Sequence, residues 1–258
     1  MTATEEKVLF FPTCLADLLF PDAARAAKSV LERVGCKVTL RPGAVCCGQP
    51  AWNSGHVPEA RRVAVGALRA LEGTEPVVLC SGSCATMMHE YWPELFEGTE
   101  HADGAEAVAQ RVHEFSSFVA GRLGAGRLGP GRLGADDPGE QALCYHDSCH
   151  MLRGLGIKDA PHSLLDKIEG VEVRPLDAPE RCCGFGGTFS LRYPELSAAM
   201  ADEKVDDVIA KDVATLVAAD LGCLMQICGR AEARGIALRG RYIAEVVEAA
   251  MDDGTDAT

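Results

Sequence analysis

Two sets of four cysteines, each built around a Cys-Cys-Gly triplet, set the tightest limit on what this chain can become. The first set is Cys14, Cys46, Cys47 and Cys84. The second, Cys149, Cys182, Cys183 and Cys223, follows at displacements of 135, 136, 136 and 139 residues. Adjacent α-carbons lie about 3.8 Å apart across a trans peptide, closer than the roughly 4.4 to 6.8 Å that an ordinary disulfide spans. Vicinal cysteines are therefore poorly placed to pair with each other and well placed to share a metal centre. Soft thiolates in fours favour zinc or an iron-sulfur cluster. Zinc sites usually gather their ligands from short CxxC or HxxxH hairpins, whereas here the outlying cysteines are separated from the pair by about 31 to 39 residues. That spacing suits a multi-iron cluster better, and the glycine after each pair lets the backbone turn tightly or approach a cluster closely.

The repeat is more than a cysteine pattern. KVLFFPTC, ending at Cys14, matches ALCYHDSC, ending at Cys149: an apolar strand-like run, a short polar turn, then the thiol. Pro58-Glu59 coincides with Pro194-Glu195, each opening a helical pattern beyond its CCG. Strand-like segments at 36–40 and 171–176 precede the CCG loops, and others at 76–80 and 214–220 precede the last cysteines. Strands alternating with helices predict an α/β fold of two pseudo-equivalent halves, each a small parallel sheet flanked by helices. Ligands of open parallel sheets collect outside the carboxyl ends of the strands. Because every cysteine of the two sets follows a predicted strand, the metal sites are expected at those ends. The predicted division is 1–120 for the first CCG repeat, 121–139 for a linker and 140–258 for the second repeat.

The linker, GRLGAGRLGPGRLGADDPG, carries a GRLG unit three times and two formal GxGxxG matches. A dinucleotide fingerprint needs a strand before it and a helix after it. Here a helical stretch at 105–120 precedes it and Pro130 and Pro138 interrupt it, so a flexible spacer is expected. A chain of 258 residues buries enough surface to be stable without disulfides, so its twelve cysteines call for another explanation. The acidic amino terminus shows neither a secretory signal nor an apolar span, which predicts a cytoplasmic location, where clustered cysteines bind metal more often than they cross-link. The net charge of -13 argues against nucleic acid as a partner, and no membrane span is expected.

The cysteines outside the repeat read differently. Cys144 takes the place of Leu9 in the matched strand and Cys36 lies in an alternating strand with Val38 and Leu40, so both are assigned to core packing. Cys80 and Cys228, each near the last cysteine of its half, stay open as extra ligands. His146 and His150 flank Cys149 where the first half has Phe11 and Leu15; a base, proton relay or ligand there would break the symmetry of the repeat, and both are carried forward as candidate catalytic residues. Arg153, Arg181 and Arg192 read as solvated surface, with carboxylate binding as the alternative.

With these motifs in hand the chain resembles the CCG-domain family of iron-sulfur oxidoreductases, which includes the catalytic subunit of heterodisulfide reductase. TCLADLLFP, CCGQPAWNSG, YHDSCHMLRGLGIK, CCGFGGTFSLRYPELS and ADLGCLMQICGR resemble its lactate-utilization branch in particular. The resemblance implies an oxidoreductase subunit in the oxidation of L-lactate to pyruvate, acting with companion proteins B and C and with a small carboxylate substrate handled in the complex. It implies iron-sulfur clusters, one of [4Fe-4S] type per half, held by Cys14, Cys46, Cys47 and Cys84 and by Cys149, Cys182, Cys183 and Cys223. Heterodisulfide reductase adds a fifth cysteine per half in a CxxC ending. Here three residues intervene between Cys80 and Cys84 and four between Cys223 and Cys228, which tells against that five-thiolate arrangement. Disulfide reduction and structural zinc binding are the two alternative functions.

Overall fold

Apolar and β-branched runs bounded by turn residues build the strands of both sheets. The computed structural model describes residues 5–124, 126–130 and 141–252. In the first half β1 (Glu6–Phe11) leads into α1 (Cys14–Leu19) and α2 (Pro21–Arg33), then β2 (Cys36–Thr39). The CCG loop follows, with α3 (Gln49–Trp52), α4 (Val57–Ala70) and β3 (Val77–Leu79). After β3 the chain makes α5 (Gly82–Thr86), a π-helical turn at Met87–Tyr91, α6 (Trp92–Phe96), α7 (Ala102–Ala109), β4 (Val112–Glu114) and α8 (Phe115–Leu123). A short strand, β5 (Leu128–Pro130), stands between the halves.

The second half repeats the order: β6 (Ala142–His146), α9 (Cys149–Gly154), α10 (Asp159–Leu165), the two-residue β7 (Ile168–Glu169) and β8 (Glu172–Val173), then α11 (Phe189–Arg192), α12 (Pro194–Ile209), β9 (Thr215–Ala218), α13 (Leu221–Ala233), β10 (Arg239–Tyr242) and α14 (Ile243–Asp252). The sheets have the orders β2-β1-β3-β4 and β8-β6-β9-β10, and every pairing within them is parallel. The two sheets thus have one topology, and the α/β fold of two pseudo-equivalent halves follows the sequence pattern. Prolines in the first turns of α4 and α12 use a position where a missing N–H costs nothing.

Strands of parallel sheets are covered on both faces and read as continuous apolar runs. On β1, Val8 and Phe10 face a core shared with Leu143, Tyr145, Leu216 and Val247 of the second half. Leu9 and Phe11 point the other way, into a core of the first half with Leu68, Leu79, Met87 and Trp92. The halves therefore pack through one common interior. Equivalent elements meet across it: α5 lies against α9 as α1 lies against α13, and α2 against α14 as α10 against α8. The first of these contacts is so close that a Cβ on Gly82 would stand 2.1 Å from Met151 and one on Gly154 2.4 Å from Thr86.

Two expectations change. The helical stretch at 105–120 is interrupted: α7 stops at Ala109, and Val112–Glu114 pairs with β3 in register Val77 to Val112 before α8 begins. The fourth strand of each sheet, β4 and β10, had no counterpart in the sequence pattern. Of the predicted linker at 121–139, residues 125 and 131–139 lie outside the described residues; the rest supplies the end of α8 and β5, which pairs with β7. Among the described residues no helix is long and apolar enough to cross a membrane.

Candidate metal centre

Each sheet delivers its cysteines at the carboxyl ends of its strands. Cys14 opens α1 after β1, Cys46 and Cys47 lie in the loop after β2, and Cys84 sits in α5 after β3. In the second half Cys149 opens α9 after β6, Cys182 and Cys183 follow β8, and Cys223 lies in α13 after β9. The Sγ atoms of Cys47 and Cys84 are 3.3 Å apart and those of Cys183 and Cys223 are 3.2 Å apart. Cys14, Cys46, Cys47 and Cys84 line one cavity of about 100 Å³; Cys149, Cys182, Cys183 and Cys223 line a second of about 50 Å³. Sites for organic cofactors run to roughly 300–1,000 Å³, so these cavities suit a compact inorganic group. All twelve cysteines are free thiols.

The electrostatics repeat with the geometry. Hydrogen bonds from Cys14 and Cys47 hold the Cys46 thiol down to about 3, and hydrogen bonds from Cys149 and Cys183 hold Cys182 down to about 2. The donors move the opposite way: Cys14 is raised by its bond to Cys46 and then by burial, and Cys149 by its bond to Cys182 and then by burial. Cys47 and Cys183 are likewise raised by bonding to their vicinal neighbours. Cys223 is lowered to about 7, first by its bond from Cys183. In each half the second thiol of the set is thus the sulfur that surrenders its proton first. The backbone N–H of Gly48 donates to Cys46 Sγ at 3.5 Å and that of Gly184 to Cys182 Sγ at 3.4 Å, favouring the thiolate.

Supporting contacts fix the loops. Trp92 Nε1 donates to the Cys47 carbonyl at 2.9 Å, and Gln49 Nε2 to the Ser83 carbonyl at 3.0 Å. Thr13, just before Cys14, has φ 76 and ψ 160, a region essentially reserved for glycine, where other residues carry about 1–3 kcal/mol of strain. Its buried hydroxyl has no hydrogen-bond partner.

Ser81 and Asp220 occupy equivalent positions, capping the helices that carry Cys84 and Cys223, and they meet. Asp220 Oδ1 accepts from Gly222 N at 3.0 Å and Cys223 N at 3.4 Å; Oδ2 reaches into the other half, accepting from Ser81 Oγ at 3.1 Å and Ser83 N at 2.8 Å. The two cavities share a wall formed by Gln49, Asn53, Ser83, Phe185 and Gly187. Sequence reasoning missed this wall and both caps. The caps carried a usable signal: SGSC and DLGC each place a capping residue three positions before the cysteine.

The remaining candidates fall into place. Cys80 lines neither cavity; its thiol donates to the Pro12 carbonyl at 2.6 Å. Cys228 lies on a separate groove beside Gly240. Cys36 and Cys144 are buried in the shared core. His146, at the end of β6, is 0% exposed, and one of its ring nitrogens lies within 4.8 Å of the sulfurs of Cys183 and Cys223. His150 lines the second cavity with Nδ1 3.8 Å from Cys149 Sγ. Arg181 pairs with Glu203 at 2.8 Å.

The model of a cysteine-rich domain, CCG, matches residues 8–89 and 143–228, one match on each half of the fold. Lactate utilization protein A of Bacillus cereus (strain B4264) is 42% identical over 242 residues, covering 93% of this chain and 98% of that protein. Lactate utilization protein A of Anoxybacillus flavithermus (strain DSM 21510 / WK1) is 43% identical over 244 residues, with 93% and 98% covered. A solved structure described as a hypothetical protein from Helicobacter pylori superposes with a TM-score of 0.64 at 13% identity over 99% of this chain. The chain spans about half, 52%, of that structure's length, and the likeness is one of fold.

Proposed function

Since the chain belongs to the cysteine-rich CCG domain family, in its lactate utilization protein A group, we propose that it is an iron-sulfur oxidoreductase subunit taking part in the oxidation of L-lactate to pyruvate. The observation that carries this reading is the twofold convergence of four thiols on a small cavity at the ends of parallel strands. The donors fit an iron-sulfur group: they are all sulfur, four to a half, with one thiol in each set already held as thiolate. Cys14, Cys46, Cys47 and Cys84 would hold one such group and Cys149, Cys182, Cys183 and Cys223 the other. When bound, the group supplies one-electron acceptance, and the oxidation of lactate to pyruvate releases two electrons and two protons.

The chain's own residues supply placement. Gly48 and Gly184 aim backbone N–H groups at the thiolates, and charge-assisted bonds of this kind favour the deprotonated ligand. Asp220, bonded to both halves, fixes the two thiol sets relative to each other. Gln49, Asn53, Ser83, Phe185 and Gly187 line both cavities, an arrangement suited to passing electrons from one half to the other. On this reading two-electron acceptance from lactate falls to companion proteins, lactate utilization proteins B and C, in the cytoplasm.

Anaerobic purification followed by iron, acid-labile sulfide and zinc analysis tests the cofactor reading. Iron and sulfide in comparable amounts are expected, and zinc without either would sink it. Lactate oxidation is expected only when B and C are added; full turnover by the chain alone would refute the partner-dependent reading.

A further inference from the structure

We propose that His146 is a nitrogen ligand of the second centre, so that the two pseudo-equivalent centres differ in donor set: sulfur alone in the first half, sulfur with one imidazole in the second. This rests on the iron-sulfur reading above. His146 closes β6 and is fully buried, and neither of its ring nitrogens has a hydrogen-bond partner. A buried polar group left unpaired costs about 1–3 kcal/mol, so this imidazole lacks the partner that burial normally demands. What it does face is sulfur. A ring nitrogen of His146 and the Sγ atoms of Cys183 and Cys223 all lie within 4.8 Å of one another. A nitrogen and a sulfur donor on one metal, at about 2.1 Å and 2.3 Å, are separated by no more than about 4.4 Å, so small side-chain adjustments would bring the imidazole within reach of the centre that Cys183 and Cys223 hold.

The first half supplies the contrast. The residue closing β1 is Phe11, equally buried, packed among Leu79, Met87 and Trp92. The fold accepts an aromatic ring of similar size at both positions and places ring nitrogens at only one. A neutral imidazole among the donors makes the second centre electronically unlike the first, so the two centres differ in reduction potential.

Pulsed EPR of the reduced, anaerobically purified chain tests the assignment. A strong nitrogen hyperfine coupling is expected from one of two clusters, changing to the ¹⁵N pattern when the protein is grown on ¹⁵N-histidine. It should vanish in His146→Phe, which copies the first half, and persist in His150→Leu. In a potentiometric titration one of the two midpoint potentials should shift in His146→Phe while the other stays put. If His146→Phe does not fold, the isotope experiment and His146→Gln carry the test. Coupling absent from a wild-type protein that contains iron and sulfide, or only the weak coupling of a hydrogen-bonded imidazole, would overturn the ligand assignment alone. Iron and sulfide absent altogether would overturn the iron-sulfur reading on which it stands.

Discussion

At the scale of single residues, the glycine of each CCG triplet does two things at once. Gly48 and Gly184 have φ of +87° and +83°, and a Cβ on either would stand 2.8 Å from the Ala60 carbonyl oxygen or 2.7 Å from that of Ser197. Left-handed backbone costs an ordinary residue about 1–2 kcal/mol, and overpacking adds roughly 1–3 kcal/mol. Gly184→Ala is therefore expected to lower stability by at least about 2 kcal/mol, read as a lower urea midpoint, and to reduce the iron retained by the second half. Gly235→Ala is the control, because φ there is +73° but nothing lies within 4 Å of the added carbon. It should show the smaller, purely conformational loss and keep its iron; equal losses at the two positions would remove the close-packing argument. The sequence already suggested that these glycines allow either a tight turn or a close approach, and the structure shows both. It also singled out His146 by its contrast with Phe11, but the direction in which that ring points depends on tertiary packing and was not legible.

At the scale of elements, most of the architecture was legible because parallel strands are short, apolar and bounded by turns. The alternation of strand and helix identified the first three strands of each sheet in order. What it could not identify were β4 and β10. VHE and RGRY carry too little apolar character to announce themselves; they become strands because β3 and β9 offer unpaired edges. The same pairing overrides the helical periodicity at 105–120, an instance of tertiary contact outweighing local propensity. The caps of α5 and α13 gave a readable pattern, yet the link between them joins residues 139 apart, and no local rule forecasts that. Asp220 accepts four hydrogen bonds there, two from its own helix and two from the other half. Asp220→Asn keeps the shape but turns an amide N–H₂ toward one pair of donors. A loss of about 1–3 kcal/mol is expected, with weaker magnetic coupling between the two centres as the sign that their relative placement has loosened. A variant as stable as wild type would mean that the carboxylate adds nothing beyond an ordinary cap.

At the scale of the whole molecule, the shared interior encloses titratable groups whose ionisation links folding to pH. Glu114, 1% exposed, caps α8 by accepting from Ser117 N at 3.2 Å and from the Ser116 hydroxyl, while its Oε1 has no partner. Burial, above all, raises its carboxyl from 4.5 to about 7. The unfolded chain ionises this group near 4.5 and the folded chain only near 7, so the native state binds the extra proton between these values. Stability linked to Glu114 is accordingly full below about pH 4.5, falls as pH rises, and is lost above about pH 7. The pair of His162 and Asp147, 3.0 Å apart, acts in the same direction: its hydrogen bond raises His162, and the stabilisation fades as pH rises through the value held in the fold. A net charge of -13 adds self-repulsion that grows as the remaining groups ionise. Between pH 5.5 and 8 the Glu114 contribution amounts to about 2 kcal/mol. Glu114→Gln keeps an acceptor for Ser117 N and removes the titration, so its unfolding free energy should fall by about 2 kcal/mol less than that of wild type over this interval. Comparing urea midpoints of the two proteins at both pH values isolates the effect, because thiol protonation and metal affinity change alike in each. Identical pH slopes would mean that Glu114 is already ionised in the folded chain, with water reaching the interior between the two sheets.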